Sequence, residues 1–235
     1  KGMIRSSNLC TEIFQNTAPN HYKVKIEFED GSEKIYEESV DVTTDEGVTK
    51  KANKVSSIDT LGGKKVFMVE KIKDDGDTAV CNLASVNLSK IHTKEDIERV
   101  LPTAIRMLDN VIDLNFYPNR KVKATNLKNR AIGLGVMGEA EMLASLQIAW
   151  GSEEHLRKVD EVMESISFNA IKASMLLAKE KGRYPEFEGS KWSKGVMPID
   201  TASQAAKNLI DRGGLFGSDY DWDSLREEVK ESGIR

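Results

Sequence analysis

Two hydrophobic rhythms divide the chain, and they limit its fold more than any other feature. Val24, Ile26 and Phe28 alternate with charged residues, Asp30-Gly31 supplies a turn, and Ile35-Tyr36 begins a return run. That pattern predicts a β-hairpin, because alternate side chains share one face of a strand. Val40 and Val42 alternate in the same way, Gly62-Gly63 marks another turn, and Val66-Phe67-Met68-Val69 reads as strand, while residues 43–57 are polar with little pattern. Later the period lengthens. Ile105, Leu108, Val111, Ile112 and Leu114 recur at helical spacing, after a Thr93/Asp96 cap and with Pro102 expected to interrupt or kink the element and Pro118 to close it. A second stripe, Leu156, Val159, Met163, Ile166, Ala170, Ala173 and Leu177, runs from Ser152-Glu153-Glu154 to Gly182. Residues 201–210 read as a possible helix. Residues 225–231 read as a final one, capped by Asp223 or Ser224, with Trp222 as packing anchor. Strands mixed with helices make this an α/β chain.

Between the two helical stripes, Gly133, Gly135 and Gly138 match the letters of a dinucleotide-binding glycine motif. That site also needs an acid at the end of the next strand, where it reaches a ribose. Here Glu153 and Glu154 follow Ser152 at a helix start, where capping and the helix dipole account for them. The glycines therefore read as strand-to-helix packing.

Charge and composition narrow the function. The 235 residues carry a formal charge of −4, with no basic footprint for nucleic acid or an anionic membrane. No apolar run approaches a membrane span, residues 173–178 being among the longest. Asp74-Asp75-Gly76-Asp77 lacks the ligand spacing of a calcium loop and reads as a turn. His21, His92 and His155 share neither helical ligand spacing nor an acidic partner in sequence. Two distant cysteines without a Cys-x-x-Cys pair suggest neither a disulfide scaffold nor a metal site, and fit a reducing cytoplasm.

Those cysteines lie in the two stretches with chemical content. In Ser7-Asn8-Leu9-Cys10-Thr11-Glu12-Ile13, extended backbone would align Asn8, Cys10 and Glu12 on one face. The row offers a sulfur, a proton acceptor and a group that both donates and accepts. Cys81 stands in Thr78-Ala79-Val80-Cys81-Asn82-Leu83-Ala84-Ser85-Val86-Asn87-Leu88, which resembles an interior strand. Taken singly, each thiol reads as a small buried side chain.

Together these stretches resemble the large catalytic subunit of class I ribonucleotide reductase. Leu108-Asp109-Asn110-Val111-Ile112-Asp113, the glycine segment 133–138, Pro198-Ile199-Asp200-Thr201, and Tyr220-Asp221-Trp222 through Gly233-Ile234-Arg235 follow in the family's order. The Asn-Leu-Cys form differs from the cobalamin-dependent class, whose loop typically reads Asn-Pro-Cys-Gly-Glu. Only residues 22–72 fall outside the resemblance. It implies part of a ten-stranded α/β barrel, with residues 1–21 as the active-site finger loop, 22–72 as a β-rich peripheral insertion, and 73–235 as further barrel strands and helices.

The resemblance also implies roles. The cysteine at Cys10 becomes a thiyl radical that takes the ribose 3′ hydrogen, the glutamate at Glu12 accepts the 3′-hydroxyl proton, and the asparagine at Asn8 holds substrate hydroxyls. Cys81 is one member of the dithiol that reduces the 2′ position and is later reset by thioredoxin or glutaredoxin. The other member lies upstream of Lys1. No cofactor is expected in this chain. The radical comes from a metal-containing small subunit, the substrate is a ribonucleoside diphosphate, and the full-length large subunit is a homodimer. ATP and deoxynucleotide effectors, the substrate phosphate loop and the radical-relay tyrosines fall outside the chain, which reads as an internal fragment, inactive alone and with exposed strand edges. Two other readings stand beside this one: a thiol–disulfide oxidoreductase using Cys10 and Cys81, and a non-enzymatic interaction domain centred on residues 22–72.

Overall fold

Valine, isoleucine and phenylalanine at every second position build the first part of the molecule. The computed structural model describes residues 4–7, 14–16, 18, 20–55, 58–74, 76–80, 82–203 and 220–235, with side chains from residue 18 onward except Asp74. The chain divides into two compact units, Lys1–Ala79 and Val80–Arg235.

The first unit contains β1 (Ile4–Ser7), β2 (Phe14–Asn16), β3 (His21–Phe28), β4 (Glu33–Glu37), β5 (Asp41–Thr43), β6 (Thr49–Lys51), β7 (Thr60–Leu61) and β8 (Lys64–Asp74). The expected hairpin is β3 and β4, paired antiparallel with Ile26 opposite Lys34. In the sheet, strands run β4-β3-β8-β7. Val24, Ile26 and Phe28 point to one face and are buried with Val42, Ala52, Val55 and Leu61. Burying a side chain such as Ile26 contributes about 1.5–3 kcal/mol. The stretch that looked patternless, residues 43–57, holds β6 and a short 3-10 turn, Ala52–Lys54. Its strand pairs with β5, and Ala52 is buried although its neighbours are polar. Gly62 and Gly63 both adopt positive φ, and their amides donate to the Asp45 carboxylate at 2.7 and 3.0 Å. The Asp74 region is not simply a turn, because β8 runs through Asp74 to pair it with His21. Beyond β8, Asp77 and Ala18 exchange hydrogen bonds. The Asp77 amide donates to the Ala18 carbonyl, and the Ala18 amide donates to Asp77 Oδ2, both at 2.8 Å. Entry to and exit from the sheet are thus fastened together.

The second unit contains β9 (Asn82–Asn87), α1 (Lys94–Leu114), α2 (Arg120–Asn129), β10 (Ile132–Met137), α3 (Glu139–Ser145), α4 (Glu153–Lys181) and α5 (Trp222–Ser232). Thr93 caps α1 as expected, accepting from the Asp96 amide while Asp96 accepts from the Thr93 amide. Pro102 does not interrupt α1, which runs unbroken for 21 residues. The carbonyl it deprives of a helical partner belongs to Glu98, and both positions are exposed to solvent. The buried stripe is Ile97, Leu101, Ile105, Leu108 and Ile112, whereas Val111 and Leu114 are exposed. On α4, Ile166, Ala173 and Leu177 are buried as expected, but Leu156 and Met163 are not. Val162, Phe168 and Met175 take their place, so the apolar face is rotated from the expected line.

β9 and β10 pair in parallel, Asn82 opposite Ile132 and Asn87 opposite Met137. β9 is less interior than its composition suggests. Asn82 and Val86 are buried, but Leu83, Ala84 and Ser85 are exposed, because β10 is its one partner among the described residues. The glycine segment forms β10 and the turn into α3. A Cβ on Gly138 would collide with Asn87 Oδ1, and its φ of +78 independently disfavours other residues. Asp221, rather than Asp223 or Ser224, caps α5, accepting from the Ser224 amide at 2.9 Å. Trp222 meets Phe168 edge-on at 5.2 Å, and its Nε1 donates to Glu164 at 2.9 Å. Of the possible helix at 201–210, the described part is the end of a 3-10 turn, Pro198–Thr201, and residues from 204 lie outside the described residues.

Candidate functional site

The row of Asn8, Cys10 and Glu12 lies between β1 and β2, which pair antiparallel with Ile4 opposite Asn16 and Ser7 opposite Phe14. All three row residues, and Cys81, lie outside the described residues. What the structure does define is the protein immediately after Cys81.

That strand is held by buried polar groups. Asn82 Nδ2 donates to Asn126 Oδ1 at 3.2 Å and to the Ala131 carbonyl at 3.3 Å. Asn126 Nδ2 donates to the Tyr117 hydroxyl at 2.6 Å, and that hydroxyl donates to the Ile112 carbonyl at 2.6 Å. Asn82 and Asn126 are almost fully buried, where an unmade hydrogen bond costs about 1–3 kcal/mol. Sequence reasoning missed this chain. A polar residue directly beside Cys81 in an otherwise apolar run was the one signal for it.

A second polar cluster, in which Arg130 and Asp109 are buried and Asp113 and Lys181 reach solvent, lies one turn away on α1. Arg130 ends α2 in left-handed backbone, φ 46 and ψ 40. Its guanidinium donates to Asp109 at 2.5 Å and to both oxygens of Asp113 at 2.8 Å. Lys181 from the end of α4 and Arg235 also reach Asp109, at 2.9 and 3.1 Å. Burial opposes ionisation of Asp109, but hydrogen bonds from Lys181 and Arg130, with the charges of Arg130 and Arg235, outweigh it and hold the carboxyl below its usual range. Hydrogen bonding to Arg130 likewise lowers Asp113. Three cations facing two carboxylates, with each charge paired, make a structural lock rather than an acid–base pair.

His155 does have an acidic partner, contrary to the reading from sequence. Its Nδ1 accepts the Gly151 amide at 2.9 Å, so its hydrogen sits on Nε2, which donates to Glu139 at 2.8 Å. Glu139 is 16 residues away on α3, a separation that helical spacing rules do not scan. With both ring nitrogens engaged, His155 serves packing between α3 and α4. Among the described residues no group of three histidine, cysteine, aspartate or glutamate side chains is placed to hold a metal ion. No helix among them is long and apolar enough to cross a membrane.

Comparison with known proteins supplies the family. The family model described as "Ribonucleotide reductase, barrel domain" matches residues 1–235. The ribonucleoside-diphosphate reductase subunit alpha of Helicobacter pylori strain J99 is 64% identical over 234 residues, covering 100% of this chain and 30% of that protein. The subunit of the same name from Treponema pallidum is 37% identical over 238 residues, again 100% of this chain and 22% of the other. For Chlamydia trachomatis the figures are 45% over 167 residues, 68% of this chain and 16% of the relative. The chain therefore spans under a third of the length of the relatives it matches. An α/β chain that matches the barrel model from end to end, with the Asn-Leu-Cys-Thr-Glu row at residues 8–12, belongs to the ribonucleotide reductase family as part of its barrel domain.

Proposed function

We propose that a longer polypeptide containing this chain is the catalytic subunit of a ribonucleoside-diphosphate reductase. The observation that carries the reading is the family match over every residue of the chain. Cys10 sulfur, as a thiyl radical, takes hydrogen from C3′ of the ribose: an S–H bond forms and a C–H bond breaks. Glu12 accepts the 3′-hydroxyl proton, and Asn8 orients the hydroxyls. The 2′-hydroxyl then leaves as water. Cys81 and a second thiol contributed from outside residues 1–235 supply two electrons and two protons and close to a disulfide. Hydrogen returns from Cys10 to C3′. A metal-containing small subunit supplies the radical, and thioredoxin or glutaredoxin reopens the disulfide.

In this reading residues 1–21 carry the finger loop, 22–72 a peripheral insertion and 73–235 further barrel elements. The enzyme is cytoplasmic and dimeric, and its ATP and deoxynucleotide effectors bind elsewhere. Turnover of a ribonucleoside diphosphate by the complete polypeptide, with small subunit and thiol reductant, tests it. Cys10→Ser and Cys81→Ser should each abolish deoxynucleotide formation. Normal turnover by either variant would reject the assignment, and turnover by residues 1–235 alone would reject the fragment reading.

A further inference from the structure

Helix α1 is apolar on two opposite sides. Ile97, Leu101, Ile105, Leu108 and Ile112 face inward, each at most 4% exposed. Met107, Val111 and Leu114 lie outward and Phe116 follows directly, with Met107 63%, Leu114 84% and Phe116 87% exposed. At 3.6 residues per turn, the outward three centre about 165° round the helix from Asp109, which meets Lys181 of α4. The uncovered side therefore faces away from α4. A shallow hollow of about 340 Å³ runs along it, lined by Met107, Asn110, Val111, Leu114 and Asn115, none of them charged. A second hollow, of about 270 Å³, continues from Met107 and Asn110 to Leu176 of α4. A helix apolar all round belongs in an interior, and a contiguous apolar surface marks a place where another element sits.

The layers indicate which element. Val86 of β9 shares a cluster with Ile97 and Leu101 of α1, while Ile132 and Leu134 of β10 pack against Ile105 of α1 and Ala173 and Leu177 of α4. The two helices thus lie side by side on one face of the strand pair, with α1 on the β9 side. The other edge of β9 has no strand against it among the described residues, and a layered α/β fold is extended by further strands that bring their own helices to the same face. A helix arriving in that way lies beside α1, against Met107, Val111 and Leu114, at about 8–10 Å between axes. Relatives matched along the whole of this chain have more than two-thirds of their length outside it, enough to supply the helix.

We propose that the outer side of α1 seats an amphipathic helix of the same polypeptide, from outside residues 1–235; this rests on reading the chain as part of a longer reductase subunit. The apolar residues of the occupant recur at helical spacing and fill the hollows on either side of Met107. The one charged residue lining those hollows, Arg106, is already engaged by Glu180, so the occupant needs no acid to match it.

The test uses the complete polypeptide without its small subunit, at a concentration where sedimentation shows single copies. Dilute peroxide converts an accessible methionine to its sulfoxide and a covered one slowly, so Met107 should oxidise at least about tenfold more slowly than N-acetylmethionine in the same tube. Its rate should approach that of Met175, which is buried within residues 1–235. Oxidation of Met107 at the rate of N-acetylmethionine would overturn the proposal. Protection that arises only when copies associate, or only when the small subunit is added, would overturn it too, because the occupant is then a second copy or the partner. Photoreactive p-benzoylphenylalanine placed at Phe116 identifies the occupant. It should cross-link within one polypeptide to a segment outside residues 1–235, as mixtures of light and heavy isotope-labelled copies reveal. A cross-link between copies, or none beyond residues 1–235, contradicts the proposal, and if the substituted protein folds poorly the oxidation of the wild type decides. Deoxynucleotide formation by the wild-type polypeptide with free oxidation of Met107 would overturn the docking alone. A protected Met107 in a polypeptide that forms no deoxynucleotide, with small subunit and reductant supplied, would instead overturn the reductase reading and leave the docking.

Discussion

Ile26 in the sheet of the first unit and Arg130 at the end of α2 are both buried, yet their surroundings are opposites. Ile26 is enclosed by valines, Phe28, Leu61 and Ala52, all from residues 24–61 and all apolar. Arg130 is enclosed by Asp109 and Asp113, with Lys181 and Arg235 completing the cluster from far along the chain. The sheet's own charges lie outside: Lys64 with Asp30 and Lys65 with Glu29 are solvent-facing pairs, which contribute little. An apolar core tolerates small shifts as long as volume is kept, whereas a buried ion cluster allows one arrangement. The difference locates geometric precision in residues 80–235, where β9 continues from Cys81, and leaves the sheet as a region whose demand is shape alone.

The contrast breaks first at Arg130. Arg130→Met should destabilise the second unit by about 3–5 kcal/mol, because it takes from Asp109 its most buried cation and leaves it only Lys181 and Arg235, nearer solvent. Hydrogen exchange should then rise across α1, α2 and α4 while β3 and β8 keep their protection. Ile26→Ala is the converse: about 2–4 kcal/mol lost from the sheet, with exchange rising in residues 21–74 only. If either variant loosens both units equally, the two are one cooperative body and the comparison fails.

A smaller effect comes from acid. Asp109 and Asp113 have folded-state pKa values below their unfolded ones. Their contribution is present above about pH 4, the unfolded carboxylate range, and is lost as pH falls through the lowered folded values. Exchange measured from pH 5 downward should therefore rise in the second unit before the sheet. Elsewhere in the first unit, Asp45, between β5 and β6, is held low chiefly by the Gly63 amide, but it is exposed, so its loss should matter less. Earlier opening of the sheet would show that its surface pairs outweigh the buried cluster.

What could be read from sequence follows the same division. Val24, Ile26 and Phe28 with Asp30-Gly31 announced the hairpin because strand period and turn chemistry are local. So did the Thr93 cap, the Gly138 turn and the Gly182 stop. Asn126 holding Asn82, and Arg235 reaching Asp109, leave no local trace, since each partner is an ordinary polar residue until the fold brings them together. The reach of His155 to Glu139 was hidden for the same reason. The stripe on α4 was misplaced at Leu156 and Met163 because periodicity gives a spacing but not which line of the helix meets α1. At the candidate site, the residue types in the Cys10 row and their order relative to Cys81 carried the family, whereas the hydrogen bonds of Asn82 needed the structure.

The central claim is that Cys10 and Cys81 perform different halves of one reaction, hydrogen abstraction and two-electron reduction. The direct measurement is cleavage of the C3′–H bond, followed with a ribonucleoside diphosphate tritiated at C3′ in the complete polypeptide with its small subunit. Cys10→Ser should release no tritium and form no deoxynucleotide, while Cys81→Ser should still cleave the bond yet form no deoxynucleotide. Tritium release by Cys10→Ser at the wild-type rate would contradict the account.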